Sequence, residues 1–321
     1  MLRIAIAVVC GFLAVVPGAA AQSYPAKPIR FIAPFPPGGS ADTIGRLLAQ
    51  ELAKSLGQPV LVENRPGAGG NIGVDLVAKS APDGYTIGIG AAGALTINQS
   101  LMGKLPYDPL RDLAPVSKLA DIPIVLAAAG STPAASVGEL IAVAKAKPGV
   151  LSFASAGNGT AMHLSGELFK LMTRVDMAHI PYKGSGPATT DLVSGQVPVA
   201  FVDLASALPQ IRAGRIKGLA VASGKRTVTA PDIPTIAESG VPGYDAVGWF
   251  GVIAPAGTPR DVVARLNAEI VRIMASPEVR GRALAVGAEP STTTPEGFAA
   301  FIAAEIPKWE RVVKASGAKA N

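Results

Sequence analysis

The chain has 321 residues, one cysteine, two histidines, 49% hydrophobic residues and a formal charge of +6 at pH 7. A single core does not grow to fill that length, which points to two lobes, and the lone Cys10 leaves little room for disulfides or thiolate metal sites. Lys and Arg are scattered, with no run beyond the pair Lys225-Arg226 and few aromatics among them, which argues against nucleic-acid binding, while the positive balance suits an anionic ligand.

The chain opens with Arg3, an apolar run over residues 4–16, then Pro17-Gly18 and Ala19-Ala20-Ala21. This is the pattern of a secretory signal peptide cleaved after Ala21, and it sets the periplasm as the expected location. The thirteen apolar residues fall short of the ~20 that a membrane span needs. Cleavage removes Cys10 and leaves 300 residues in which 28 Lys and Arg face 23 Asp and Glu.

Apolar β-prone runs at residues 29–35, 60–63, 85–90, 124–128, 151–154, 197–203, 217–222 and 249–254 alternate with helical patterns. That alternation predicts an α/β fold of βαβ units on parallel sheets. After the first run, Ile44, Leu47, Leu48, Leu52 and Leu56 recur at helical spacing and Gly57 follows as a stop. Ser136 with Glu139 forms a capping box, and Thr258-Pro259 and Thr294-Pro295 each set a cap before a proline at the first helical position. The last helix carries Phe298, Phe301, Ile302, Ile306 and Trp309.

Two glycine-rich loops stand out. Residues 33–42, Ala-Pro-Phe-Pro-Pro-Gly-Gly-Ser-Ala-Asp, join the first strand to the first helix. At the carboxyl end of a parallel strand such a loop points backbone N–H groups into the crevice where α/β proteins bind ligands. Its glycines admit a ligand to the backbone and its prolines hold the shape in advance. The segment reads equally well as a plain strand-to-helix turn with Ser40 or Asp42 as N-cap. Residues 155–163, Ser-Ala-Gly-Asn-Gly-Thr-Ala-Met-His, form the second loop, ahead of a helix bearing Leu164, Leu168 and Leu171. If the lobes close on each other, an anion sits between two helix N-termini.

Other motifs are weaker. Gly88-Ile89-Gly90-Ala91-Ala92-Gly93 matches the dinucleotide fingerprint, with Asp108 near the offset of a ribose partner. Pro106 and Pro109, however, leave no room for a helix of proper length, so no cofactor is expected. G-x-S-x-G, H-E-x-x-H and G-x-x-x-x-G-K-[ST] are absent, which leaves no expected catalytic residue or metal site. His163, on a first helical turn, reads as a core or capping histidine before a ligand contact.

The segments YPAKPIRFIAPFPPGGSAD, LGQPVLVENRPGAGGNIG, VAKSAPDGYTIGIG, LPYDPLRDLAPVS, ELIAVAKAKPG, FASAGNGTAMHLSGELFK, HIPYKGSGPATTDLVSGQV, IPTIAESGVPGY, APAGTP and TPEGF run in order over residues 24–298. In them the chain resembles the substrate-binding receptors of tripartite tricarboxylate transporters, the Bug-type receptors. The resemblance implies a type II periplasmic-binding-protein fold: two α/β lobes with a ligand cleft and hinge between them. Lobe 1 would comprise residues 22–121 plus 248–321 and lobe 2 residues 122–247, with crossings near residues 119–122 and 247–251.

It also implies a small carboxylate ligand, held largely by backbone N–H groups and ordered water, and no enzymatic activity. Phe35, Gly38, Gly39, Ala41 and Asp42 would line the first-lobe side, and Ser155, Asn158, Gly159 and Thr160 the second, with Thr160 both capping its helix and donating to a carboxylate oxygen. His163, Tyr182 and Asp203 would be further wall residues. Neither loop contains an arginine, and Arg46 is expected to be exposed or paired with Glu residues of its own helix. Capture by neutral dipoles avoids burying an unpaired cation in the empty site. The implied partners of this monomer are membrane transporter subunits or, alternatively, a signalling sensor protein that reads the same cleft.

Overall fold

The computed structural model describes residues 24–319; the expected signal peptide, its cleavage site and Cys10 lie outside the described residues. The strands are β1 (Ile29–Ala33), β2 (Val60–Asn64), β3 (Thr86–Ala91), β4 (Leu113–Ile122), β5 (Ile124–Ala129), β6 (Ser152–Ser155), β7 (Ala178–Pro181), β8 (Val199–Asp203), β9 (Ile216–Val221), β10 (Gly248–Pro255) and β11 (Glu289–Pro290). The helices are α1 (Ser40–Leu56), α2 (Asn71–Ala78), α3 (Asn98–Leu101), α4 (Val137–Ala146), α5 (Ala161–Thr173), α6 (Ser185–Val193), α7 (Leu204–Arg212), α8 (Arg260–Ala275), α9 (Pro277–Ala285) and α10 (Pro295–Ser316).

Two sheets, each with its own helices, form two lobes. One sheet has the order β11-β4-β10-β3-β1-β2 and the other β7-β6-β8-β5-β9. The chain passes from the first to the second at Pro123, between β4 and β5, and returns into β10.

The sheets are mixed, not parallel as the alternation of elements suggests. β1 pairs in parallel with β2 and β3, and β6 with β7 and β8. β10 instead runs antiparallel to β3 and β4, and β5 antiparallel to β8 and β9. Parallel neighbours need a helical crossover. β5 and β10 enter from the opposite lobe and lack one.

All eight apolar runs become strands. β4 was hidden by Pro115, because a proline inside a run argues against a strand. The ladder accommodates it at Ile253, where the β10 register slips. β7 carries no apolar run because it is an edge strand with no fully buried residue.

α1 buries Ile44, Leu47, Leu48, Leu52 and Leu56, and it stops at Gly57 in the left-handed conformation. Ser136 accepts from the Glu139 N–H at 3.2 Å, while the Glu139 carboxylate accepts from the Ala135 N–H at 2.7 Å. Thr294 caps α10 through the Gly297 N–H. Thr258 does not cap α8: its hydroxyl donates to the Pro255 carbonyl, and Pro259 stands before the helix. On α5, Leu164 is buried but Leu171 is exposed. α10 packs Phe298 edge-on to Trp249 of β10 at 5.7 Å, and burial of a side chain such as Phe298 stabilises by roughly 1.5–3 kcal/mol. The same helix also packs on α5 of the other lobe. Among the described residues no helix is long and apolar enough to cross a membrane.

Candidate functional site

The carboxyl ends of β1 and β3 in one lobe, and of β6, β7 and β8 in the other, converge on a cavity of about 260 Å³. From the first lobe come Phe35, Gly38 and Gly39 of the β1–α1 loop, Ser40 and Ala41 of the first turn of α1, and Ala91 at the end of β3 with Ala92 and Gly93 after it. The second lobe supplies Thr160, Ala161 and Met162 at the start of α5, Gly184 to Pro187 at the start of α6, and Asp203 at the end of β8. Ile122, Gly248, Trp249 and Phe250 close it at the strand crossings. The first turns of α1, α5 and α6 all line this one space. First-turn N–H groups have no intrahelical acceptor and carry the positive end of the helix dipole, so the convergence favours an anion.

The lobes touch across the cleft. The Ser40 hydroxyl donates to Asp203 Oδ2 at 2.7 Å. Gly159, at φ +73°, lies so close to Asn98 that a Cβ would collide with Asn98 Oδ1, and a Cβ on Gly93 would collide with the Gly159 carbonyl. Asn98 is fixed from below: its Nδ2 donates to Asn71 Oδ1 at 2.8 Å, which also accepts from the Tyr107 hydroxyl at 2.9 Å.

Of the residues singled out in the sequence, Phe35, Gly38, Gly39, Ala41, Thr160 and Asp203 line the cavity. Phe35 leans on Phe250, with ring centroids 6.4 Å apart. Thr160 caps α5 by accepting from the His163 N–H, but its hydroxyl donates to the Gly157 carbonyl at 2.7 Å. That proton is therefore committed within the loop.

Asp42, Ser155, Asn158, Gly159, His163 and Tyr182 are placed elsewhere. Asp42 is buried and shapes the first loop, accepting from the Gly38 N–H at 3.0 Å, Arg46 Nε at 3.0 Å and Asn64 Nδ2 at 2.9 Å. Burial opposes its charge, but the hydrogen bonds from Arg46, Gly38 and Asn64 outweigh it and hold the carboxyl below its usual range. Arg46 is exposed, one of the two expected alternatives, and it is engaged by Asp42 and Asn64, not by the glutamates of its helix. Gly159 is a lobe-to-lobe contact. Asn158 and Tyr182 line a second cavity of about 610 Å³ that shares Phe35 and Lys183 with the first, and the Tyr182 hydroxyl donates to Asp191 Oδ2 at 2.7 Å.

Ser155 and His163 belong to a buried cluster behind the loop. Ser155 Oγ accepts from the Gly157 N–H at 3.1 Å and lies 2.7 Å from His179 Nε2. His163 stacks on His179 at 3.9 Å, and its Nδ1 accepts from the Gly159 N–H at 3.2 Å. Burial, with the charge of Lys170, lowers His163 to about 4; burial, then His163 and Lys170, lowers His179 to about 3. Both rings are neutral near pH 7 and serve the loop's shape.

Asp203 is the acidic residue of the cavity wall and Lys183 the basic one. Asp203 is 6% exposed. Burial pushes its carboxyl up to about 6, against the pull of the Ser40 and Ser185 hydroxyls. Its Oδ1 has no hydrogen-bond partner.

The sequence reading missed the loop that opens α6. Lys183-Gly184-Ser185-Gly186-Pro187 has the composition of the other two loops, but no apolar run before it announces a strand. It also dismissed Gly88 to Gly93. That segment holds no helix of dinucleotide-binding length, yet Ala91, Ala92 and Gly93 line the cavity and lead into a π-helical turn, Gly93–Ile97.

A family model described as "Tripartite tricarboxylate transporter family receptor" matches residues 44–318. Protein BugT of Bordetella pertussis is 45% identical over 300 residues, covering 93% of this chain and 92% of that protein. Two solved structures share the two-lobed periplasmic-binding-protein fold. Rpa4515 of R. palustris, with adipate, is 38% identical at a TM-score of 0.88 and covers 92% of this chain and 98% of its own. MatC (Rpa3494) from Rhodopseudomonas palustris, with bound malate, is 36% identical at a TM-score of 0.85, covering 90% of this chain and 100% of its own. These relatives are solute-binding proteins, not enzymes. The chain belongs to the receptor family of the tripartite tricarboxylate transporters.

Proposed function

We propose that this protein is a periplasmic receptor that closes two lobes around a small carboxylate and presents the closed form to the membrane subunits of a tripartite tricarboxylate-type transporter. The observation that carries this reading is the convergence of the first turns of α1, α5 and α6 on one interlobe cavity, which supplies hydrogen-bond donors and positive potential without an arginine. The adipate and malate in the two related structures support the ligand class.

The binding residues would be Gly38, Gly39, Ser40 and Ala41 from one lobe and Thr160, Ala161 and Gly184 to Pro187 from the other. Phe35, Met162, Trp249 and Phe250 would shield the ligand from water. Lobe 1 would comprise the two chain ends and lobe 2 the middle, with the hinge at residues 122–124 and 246–248, since a few residues at such crossings absorb the rotation of closure. Export by the signal peptide over residues 1–21 would place the receptor where its ligand arrives.

Trp249 stands on the cavity wall and Trp309 is buried outside it, so tryptophan emission tests the site. Titration of protein stripped of ligand by unfolding and refolding should give a saturable change with at least one of adipate, malate, citrate and benzoate. That change should be absent in Trp249→Phe and retained in Trp309→Phe. A wild-type signal flat against all four acids contradicts the reading.

A further inference from the structure

We propose that capture of a carboxylate in this cavity is coupled to the uptake of one proton, held between Asp203 and the ligand. This rests on the reading of the cavity as a carboxylate site and extends it to a second species bound there. Asp203 lines the cavity at the end of β8, and it shares that cavity with the first turns of α1, α5 and α6 that would hold the carboxylate. Two carboxylates confined together cannot both stay ionised unless a cation stands between them.

Among the described residues no cation is paired with Asp203. Of the elements around Asp203, α1 brings Ser40 and Asp42, and the Asp42 charge is already paired with Arg46. α6 brings Ser185, Gly186 and Pro187; β5 brings Ile124 opposite Asp203; and the first turn of α7 is Leu204, Ala205 and Ser206. Lys183, the basic residue on the wall, is exposed to solvent. Burial already holds Asp203 near the point where it takes up a proton close to neutral pH. Ser40 donates to Oδ2, and Oδ1 is buried with no hydrogen-bond partner, so no cation offsets the charge on either oxygen. A proton taken from solvent converts Asp203 from a repelling anion into a donor, and a carboxyl–carboxylate hydrogen bond is among the short, strong ones.

The test is calorimetric titration at pH 7 with adipate, malate, citrate and benzoate in two buffers of different ionisation enthalpy, which yields protons taken up per ligand bound. The expected result is uptake of more than about half a proton, with affinity falling by up to about tenfold per pH unit between pH 6.5 and 8. In Asp203→Asn the uptake should vanish and the affinity should become flat with pH. Wild-type binding with no uptake overturns the proposal while leaving the receptor reading intact; it would mean that the ligand supplies its own donor to Asp203. Uptake that persists in Asp203→Asn overturns it too, by placing the proton elsewhere. Binding of none of the four acids removes the carboxylate reading and the proposal with it. The wild-type stoichiometry decides the matter even if the variant does not fold.

Discussion

The hydroxyl of Ser40 and the carboxylate of Asp203 meet at 2.7 Å although 163 positions separate them in the chain. Ser40 opens α1 in one lobe and Asp203 ends β8 in the other, so their hydrogen bond exists only when the lobes are closed. A hydrogen bond to a neutral carboxyl, the state proposed for Asp203 with ligand bound, contributes about 0.5–1.5 kcal/mol. Ser40→Ala should therefore weaken ligand binding by roughly two- to tenfold. It should also raise the radius of gyration of the ligand-free protein in small-angle scattering. Unchanged affinity and radius would show that the latch contributes nothing to closure.

The two loop glycines should behave differently when replaced. Gly39 has φ −80°, and a Cβ there meets only the Pro36 carbonyl at 3.6 Å. Gly39→Leu should accordingly fold with a melting temperature near that of wild type and lose ligand-induced stabilisation, because its side chain enters the cavity. Gly159→Ala imposes a left-handed backbone and a collision with Asn98. Its melting temperature should fall by several degrees even without ligand, a shift expected for ~2 kcal/mol in a domain of this size. Equal melting temperatures for the two variants would contradict the assignment of Gly159 to the lobe contact.

The cluster behind the loop predicts a pH dependence of stability. His163 and His179 have folded-state values of about 4 and 3, below the 6.5 of an unperturbed histidine. Their contribution is complete above about pH 6.5 and is lost as pH falls, at about 1.4 kcal/mol per pH unit for each ring. Asp203 acts in the opposite direction. Its value is raised from 3.8 to about 6, so its contribution is present at low pH and lost as pH rises through 6. Urea unfolding between pH 6.5 and 4.5 should show a net loss of stability on acidification, and a steeper one in Asp203→Asn, which lacks the offset. Parallel profiles for the two proteins would mean that Asp203 titrates in its ordinary range.

Much of the framework was legible in the sequence because it is local. Leu47, Leu48 and Leu52 mark one face of a helix by spacing alone, and Thr294 announces its helix by the residues that follow. What escaped reading depends on partners distant in sequence. Pro115 argues against a strand until the slipped register at Ile253 is seen. Asp42 has the look of a cavity residue until Arg46 and Asn64 are found to claim it. Gly159 serves Asn98, and nothing near either residue in the sequence says so. The α6 loop carries the glycines, serine and proline of a binding loop, but the short, half-exposed strand before it gives no apolar signal.

The central claim, that the interlobe cavity captures a carboxylate, is tested most directly by thermal unfolding of the ligand-stripped protein. Mono-, di- and tricarboxylic acids and aromatic acids would be compared with their neutral amides. A ligand at a hundred times its dissociation constant stabilises the native state by about 2.7 kcal/mol, enough to raise the transition by several degrees. The account predicts such a rise with at least one acid and none with the matching amide. A rise of equal size with acid and amide, or none with any acid in a refolded protein, would contradict it.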